Sequence, residues 1–477
     1  MKLLLSLAYV LGLSTSFLWA AEFRAGAHAE PITPEKFPIP VNGNMKGGFA
    51  NSVHDPLHAR CFALHDGQHE LIFCVVDSCM ISRETCERAK ELASKETGVP
   101  TSHLLISATH THSAATMVPV FQSDPDPAYL AELPGRIAQG IVKAHRNLEP
   151  AEVAWGKGSD PSQLFNRRWL MKDDQQYSNP FGGMNDRVRM NPGYQNPQVS
   201  RPSGPTDPEI TIITARAKSD QRPLALLANY SLHYVGGNPA ISADYFAAYA
   251  DQITQLLKAN DQRYQGKPSF VGIMSNGTSG DVNNVNFAGP PPMGRKPGEQ
   301  LQVVARSVAE ATLKAYEKLT FRSHLTLASA ETDVRLKVRK ANPEELATAK
   351  RLIETTPRDK DGQFSGMPAV YARETVLLND FPDEVPVKLQ VHRIGDLSIA
   401  TIPCEVFTAI GLELKQKSPF AGHCTISLAN GYNGYMPTAE QHQLGGYETW
   451  RARSSYLEVD ASEKSVKQLL SLLHSIK

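Results

Sequence analysis

An α/β fold, with layered β-sheets flanked by helices, is predicted by three features of this 477-residue sequence. Short apolar runs of strand length recur along the chain, and stretches with helical periodicity separate them. Four of the runs break off into polar clusters: HLLISATHTHS carries His110 and His112, LALLANYSLHY ends near His233, FVGIMSNGTSGDVNN carries Asp281, and LSIATIPCEVF carries Glu405. Buried strands that emerge into chemically active side chains place a site at one rim of the sheets.

In chain order, residues 1–21 combine one lysine, an apolar core and small residues at Ala20–Ala21. They read as a secretory signal peptide, with an N-terminal membrane anchor as the alternative. Signal removal implies a secreted or periplasmic protein, and no later run is long enough to span a bilayer. Glu22–Gly48 reads as an irregular, Pro- and Gly-rich lead-in. CFALHDGQHELIFCVVDS reads as a hairpin turning near Asp66–Gly67. Ser82–Thr97 carries a helical pattern that stops at Gly98–Pro100, and Ala128–Arg146 a second one.

From Gly156 to Pro208 the periodicity disappears into Asn, Gly, Pro and Arg, the composition of substrate-binding loops or of an ordered surface excursion. Helices are expected over Leu301–Lys318, Pro343–Glu354 and the terminal SEKSVKQLLSLLHSI, with extended chain from Val387 to Pro403. No repeat or linker divides residues 22–477, which read as a single domain.

Composition narrows the function. Lysine and arginine total 49, as do aspartate and glutamate, and no basic block is present, so nucleic acid is not an expected partner. The six cysteines leave open whether Cys79 pairs with Cys86 or all stay buried and free. Catalytic zinc takes three or so N, O or S ligands and keeps a position open. His110, His233 and Glu405 suit that task, although Glu405 could equally favour a helix N-terminus electrostatically. Asp281 is placed to orient a ligand histidine or to make an Asx turn. Ser279 lies in GTSG, which lacks the GxSxG pattern of a nucleophile turn.

Taken together, SATHTHS (Ser107–Ser113), FNRR (Phe165–Arg168), NYSLH (Asn229–His233), SGDVNN (Ser279–Asn284), IPCE (Ile402–Glu405) and YNGYMPTAEQHQLGGYE (Tyr432–Glu448) resemble the neutral, non-lysosomal ceramidase family. VHDPLHAR (Val53–Arg60) is similar to the family's early extended segment. The resemblance implies paired β layers covered by helices. It implies Zn2+ held by His110, His233, Glu405 and Tyr435, with His112 as proton-transfer partner and Tyr447 and Arg167 stabilising charge on a carbonyl oxygen. Asn166 and Asn283 would contact substrate.

The chain departs from the family at GDVNNV, where the family carries GDVSPN, and it ends in a helix where relatives usually continue into an immunoglobulin-like domain. Trp450, Arg451 and Arg453 also make the tyrosine segment more basic, which suits a polar or anionic substrate or, equally, arginines that make surface ion pairs. The expectation is therefore a ceramidase-like zinc hydrolase that cleaves an amide, acting on a small-molecule, lipid or carbohydrate substrate. A carbohydrate-active lyase or glycosidase is the alternative enzyme class, and a noncatalytic secreted binding protein the third reading.

Overall fold

The computed structural model describes residues 22–175, 177–236, 238–294 and 296–477; the expected signal peptide lies outside the described residues. Arg24–Pro31 (β1), His58–His65 (β2), Glu70–Val76 (β3), Leu104–Ala108 (β4), Glu149–Ser159 (β5), Glu209–Ala217 (β6), Pro223–Tyr230 (β7) and Val271–Asn276 (β8) form one sheet, ordered β8-β7-β6-β5-β1-β2-β3-β4. Its two edge pairs, β3–β4 and β7–β8, are parallel. Leu327–Lys337 (β9), Glu384–Ile394 (β10), Leu397–Thr401 (β11) and Gly422–Ile426 (β12) form a second sheet in that order, closed by a parallel β11–β12 pair.

Strand β3, ELIFCVV, shows why the sheets stack. Side chains alternate across a strand, and here Leu71, Phe73 and Val75 face the second sheet while Ile72, Cys74 and Val76 face helices. Phe62, Ile213, Leu227 and Ile273 meet Ile399 and Ile426 between the sheets, all at most 2% exposed. Each such side chain contributes roughly 2 kcal/mol by leaving water.

The outer face of the large sheet is covered by Arg83–Thr97 (α1), Pro127–Arg146 (α2), Asp244–Leu256 (α3) and Glu299–Tyr316 (α4). Of Pro343–Thr355 (α5), Met367–Asn379 (α6), Thr408–Lys417 (α7), Ala439–Leu444 (α8) and Ala461–Ser475 (α9), α7 and α9 pack on the outer face of the small sheet, while α6 buries Ala369, Val370 and Tyr371 in the core shared by the large sheet and its helices. The result is the predicted α/β architecture: helices, sheet, sheet, helices. Among the described residues no helix is long and apolar enough to cross a membrane.

Local signals explain most elements. Ser82 caps α1 by accepting from Thr85 N, and Gly98 ends it in a left-handed conformation (φ 77°). Asn342 and Glu345 form a capping box on α5. The irregular lead-in expected over Glu22–Gly48 is corrected: its first part is β1, near the middle of the large sheet. Helix α2 crosses β1 so closely that a Cβ on Gly26 would lie 2.5 Å from the Ala144 carbonyl. That approach demands glycine and alanine, which removes the β-branched signature of a strand. The patternless stretch after Gly156 contains the end of β5 and short strand pieces, including Phe165–Asn166 paired with Val282–Asn283. All six cysteines are buried and free.

Among the described residues, Lys90 on α1 is a buried amine without a hydrogen-bond partner, 3% exposed. Burial, only partly offset by Glu331, lowers its pKa from 10.5 to about 8. The unfolded chain holds this proton more tightly, so the penalty is full below pH 8 and fades as pH rises toward 10.5. Lys90→Met is expected to stabilise the fold by about 2 kcal/mol at pH 7 in urea denaturation, with a smaller gain at pH 10. A destabilised variant would show that the amine has a compensating partner.

Candidate metal centre

The two sheets bring their strand ends to one place. The chain leaving β12 runs between the two edges of the large sheet: Ser427 N donates to Asn276 O (3.0 Å), Ala108 N to Leu428 O (3.1 Å) and Asn430 N to Ile106 O (2.7 Å). Thus His110, just past β4 on one edge, meets His233, just past β7 near the other. Glu405 follows β11 and pairs with Tyr435 through two short parallel strands. A Cβ on Gly280 would lie 2.5 Å from the Glu405 carbonyl, so the turn after β8 closes on this strand only because it is glycine.

Ligand atoms of His110, His233 and Glu405 all lie within 4.8 Å of one another, and all three residues are buried. His110 Nδ1 donates to the Cys79 carbonyl (2.7 Å) and His233 Nδ1 to the Ser279 carbonyl (3.1 Å). These bonds fix the tautomers and leave both Nε2 lone pairs directed inward. His110 sits at φ 75°, a left-handed conformation uncommon outside glycine, as strained backbone at a functional site often is.

Glu405 Oε1 accepts from the Tyr432 hydroxyl (3.0 Å). Its Oε2 lies 3.2 Å from His110 Nε2, yet that contact lacks hydrogen-bond geometry and the oxygen is orphaned. His112 Nε2 stands 3.2 Å from His110 Nε2, and its ring stacks on Tyr234 at 3.6 Å. The His112 Nε2 can donate to His110 Nε2, so the group left without a partner is Glu405 Oε2, which a cation between these residues would satisfy. The donor set of imidazole, carboxylate and phenol fits a divalent metal such as zinc.

The electrostatics favour a positive charge at this point: burial opposes charge on His110, but Glu405 and Cys79 outweigh it and raise its pKa well above the ordinary value. Burial, then the neighbouring His110 and Arg167, push His112 well below its ordinary value; burial, Arg167 and His110 do the same to His233. Both are therefore neutral and able to ligate. Burial opposes charge on Glu405, but His110, Tyr435 and Arg167 outweigh it and hold the carboxylate ionised.

Arg167 closes one side. Its Nε donates to Glu448 Oε1 (2.9 Å), Nη2 to the Gly280 carbonyl (2.9 Å) and the Tyr435 hydroxyl (3.1 Å), and Nη1 to His233 Nε2 (3.2 Å), the lone pair that a metal would otherwise take. Arg168 donates to the other Glu448 oxygen at 2.6 Å. The Tyr447 ring meets Tyr435 edge-on at 5.8 Å. His110, His112, Arg167, His233, Glu405, Tyr435 and Tyr447 are thus gathered by the fold.

The other positions differ. Asp281 touches no histidine: Oδ1 accepts from Thr408 N and Oγ1 (both 2.8 Å), and Oδ2 from Asn166 Nδ2 (3.0 Å). Backbone carbonyls orient the imidazoles, and Asp281 instead ties the start of α7 to Asn166. Asn166 Oδ1 accepts from Arg168 N (3.0 Å), so its amide supports the arginine pair. Asn283 directs its amide to Asn191 (2.9 Å), and it does not line the cavity at the centre.

In the basic tyrosine segment the arginines make ion pairs, the second of the two readings. Arg453 donates to both oxygens of the fully buried Glu374, Arg451 pairs with Glu345, and Trp450 Nε1 donates to Asp186. These pairs tie the segment to Glu374, Glu345 and Asp186.

Sequence reasoning did not single out Tyr432, Tyr234, Cys79 or Glu448. Tyr432 and Glu448 flank the two expected tyrosines in the same motif, and that adjacency was the available signal.

The fold is similar to the crystal structure of neutral ceramidase from Pseudomonas aeruginosa, with a TM-score of 0.68 and 14% identity over 95% of this chain and 74% of that one. It is similar also to a ceramidase complexed with C2, with a TM-score of 0.70 and 14% identity over 95% of this chain and 75% of that one. Residues 45–297 match the family model of the N-terminal part of neutral/alkaline non-lysosomal ceramidase. That match spans more than half of the chain, including His110, Arg167 and His233, and the chain therefore belongs to the neutral/alkaline non-lysosomal ceramidase family.

Proposed function

We propose that this protein is a zinc-dependent hydrolase that cleaves an amide. The observation that carries this reading is the orphaned Glu405 Oε2 facing the inward Nε2 atoms of His110 and His233. His110, His233, Glu405 and Tyr435 would hold the ion. Zinc there would polarise a carbonyl and make water nucleophilic near neutral pH.

The chain's own groups supply the rest. His112, neutral and facing the centre, accepts a proton and returns it to the leaving nitrogen. Arg167 stays cationic against Glu448 and faces the oxygen on which charge develops. Burial, then Glu405, raises the Tyr447 pKa far above the phenol range, so its hydroxyl stays protonated and can donate to the same oxygen. Asn166 positions the arginines.

Purified protein should carry near-stoichiometric zinc and hydrolyse an N-acyl amide. Tyr447→Phe is expected to keep the metal and lower kcat about 10²-fold, the effect of losing one such donor, with KM little changed. Full activity in zinc-free protein would overturn the assignment. An unaffected Tyr447→Phe would remove the tyrosine from it.

A further inference from the structure

The cavity at the candidate metal centre is narrow and partly open. Only about 20 Å³ is open to the centre of a water molecule, room for one or two waters. Besides the site residues, Met80, Val120 and Phe121 wall it. Phe121 is 4% exposed and sits at φ 52°, a left-handed backbone that a bulky residue rarely adopts.

This conformation is held from two directions. Arg373 on α6 donates from Nη1 to the Phe121 carbonyl (2.5 Å), and Arg453 donates to the same oxygen from Nη2 (2.9 Å) and to the Pro119 carbonyl from Nη1 (2.6 Å). Glu374, fully buried, binds both arginines. The Phe121 ring lies edge-on to Tyr371 of α6 at 5.8 Å. Next along the chain, the Gln122 amide brackets Phe364, accepting from its N–H (2.7 Å) and donating to its carbonyl (3.0 Å).

Helices α5 and α6 belong to the excursion between β9 and β10, whose strands pair out to Lys337 and Glu384. The excursion thus reaches the metal centre and fixes one wall of it by charge-assisted bonds.

We infer that Phe121 is the specificity-determining wall of this site, and that its clamp by Arg373, Glu374 and Arg453 restricts the enzyme to amides with a short carbonyl-side chain. This rests on the metal-dependent amidase reading and narrows its substrate class. A side chain whose backbone is pinned from two directions would obstruct a long acyl chain laid along this wall. Shortening that side chain opens the cavity toward α6.

The test measures binding of acetohydroxamate and octanohydroxamate, both metal-chelating amide mimics, to the zinc-loaded protein by calorimetry. Wild type is expected to bind the two-carbon compound at least about tenfold more tightly, the scale on which a pocket discriminates one misfitting methylene. Phe121→Gly, which also suits the left-handed backbone, should reverse the preference by about the same factor. Phe121→Leu should fall between, and zinc content equal to wild type will report folding of each variant. Equal binding of both compounds by wild type, or an unchanged preference in Phe121→Gly, overturns the inference while leaving the amidase reading intact. If wild type takes up no zinc, or binds neither hydroxamate, that reading falls and this inference falls with it.

Discussion

His110→Ala is expected to lose both the bound metal and turnover. The imidazole is pre-aimed by the Cys79 carbonyl, and its Nε2 stands 3.2 Å from both Glu405 Oε2 and His112 Nε2. Alanine leaves a gap that no neighbour can fill, because His112 is stacked on Tyr234 and Glu405 is tied to Tyr432. Losing several kcal/mol of charge stabilisation corresponds to a rate reduction of at least about 10³-fold. Metal analysis of the purified variant and steady-state rates check this together. A chelator should reproduce the loss in wild type, and added zinc should restore wild type but not the variant. Retention of zinc and rate by His110→Ala would show that this cluster is not the reaction centre.

Glu448→Leu is expected to destabilise the fold by roughly 3–5 kcal/mol, the cost of leaving buried charge uncompensated. Its carboxylate, fully buried, is shared by Arg167 and Arg168, whose side chains are 6% and 0% exposed. Removing one anion strands two cations beneath the metal centre. Urea denaturation with an unchanged m value measures the loss directly. Glu448→Gln keeps the shape and some hydrogen bonding, so it should be milder in stability yet still depress kcat through a misaligned Arg167. A loss under about 1 kcal/mol for Glu448→Leu would mean that water reaches the arginines.

Elements with a clean local signature were legible in the sequence. The β2–β3 hairpin announces itself by apolar runs about Asp66–Gly67, and α1 by its Ser82 and Gly98 ends. Strand β1 did not, because contact with α2 imposes residues that carry no strand preference. Helix α6 was also missed: it buries Ala369, Val370, Tyr371, Ala372, Glu374 and Thr375, leaving no polar face to set a period. Helix α3 starts at Ala243–Asp244 without a side-chain cap.

At the site, His110, His233 and Glu405 stood out because each ends an apolar run. Partners across the chain could not be read that way. Glu448 finds Arg167 from 281 residues away, and Asp281 finds Thr408 across 127. The same blindness left Arg451 and Arg453 open between substrate and ion pairs, because their carboxylate partners Glu345 and Glu374 lie in the excursion between β9 and β10.

The arrival of His110 and His233 from opposite margins of one sheet, and of Glu405 and Tyr435 from the other, has a thermodynamic consequence. A denatured polypeptide cannot gather donors from four such remote stretches, so an ion captured there would favour the assembled molecule alone. Capture and cooperative folding then become linked equilibria: free metal at a thousand times its dissociation constant would add about 4 kcal/mol to conformational stability. Metal supply would thereby govern how long the molecule survives as well as how fast it works.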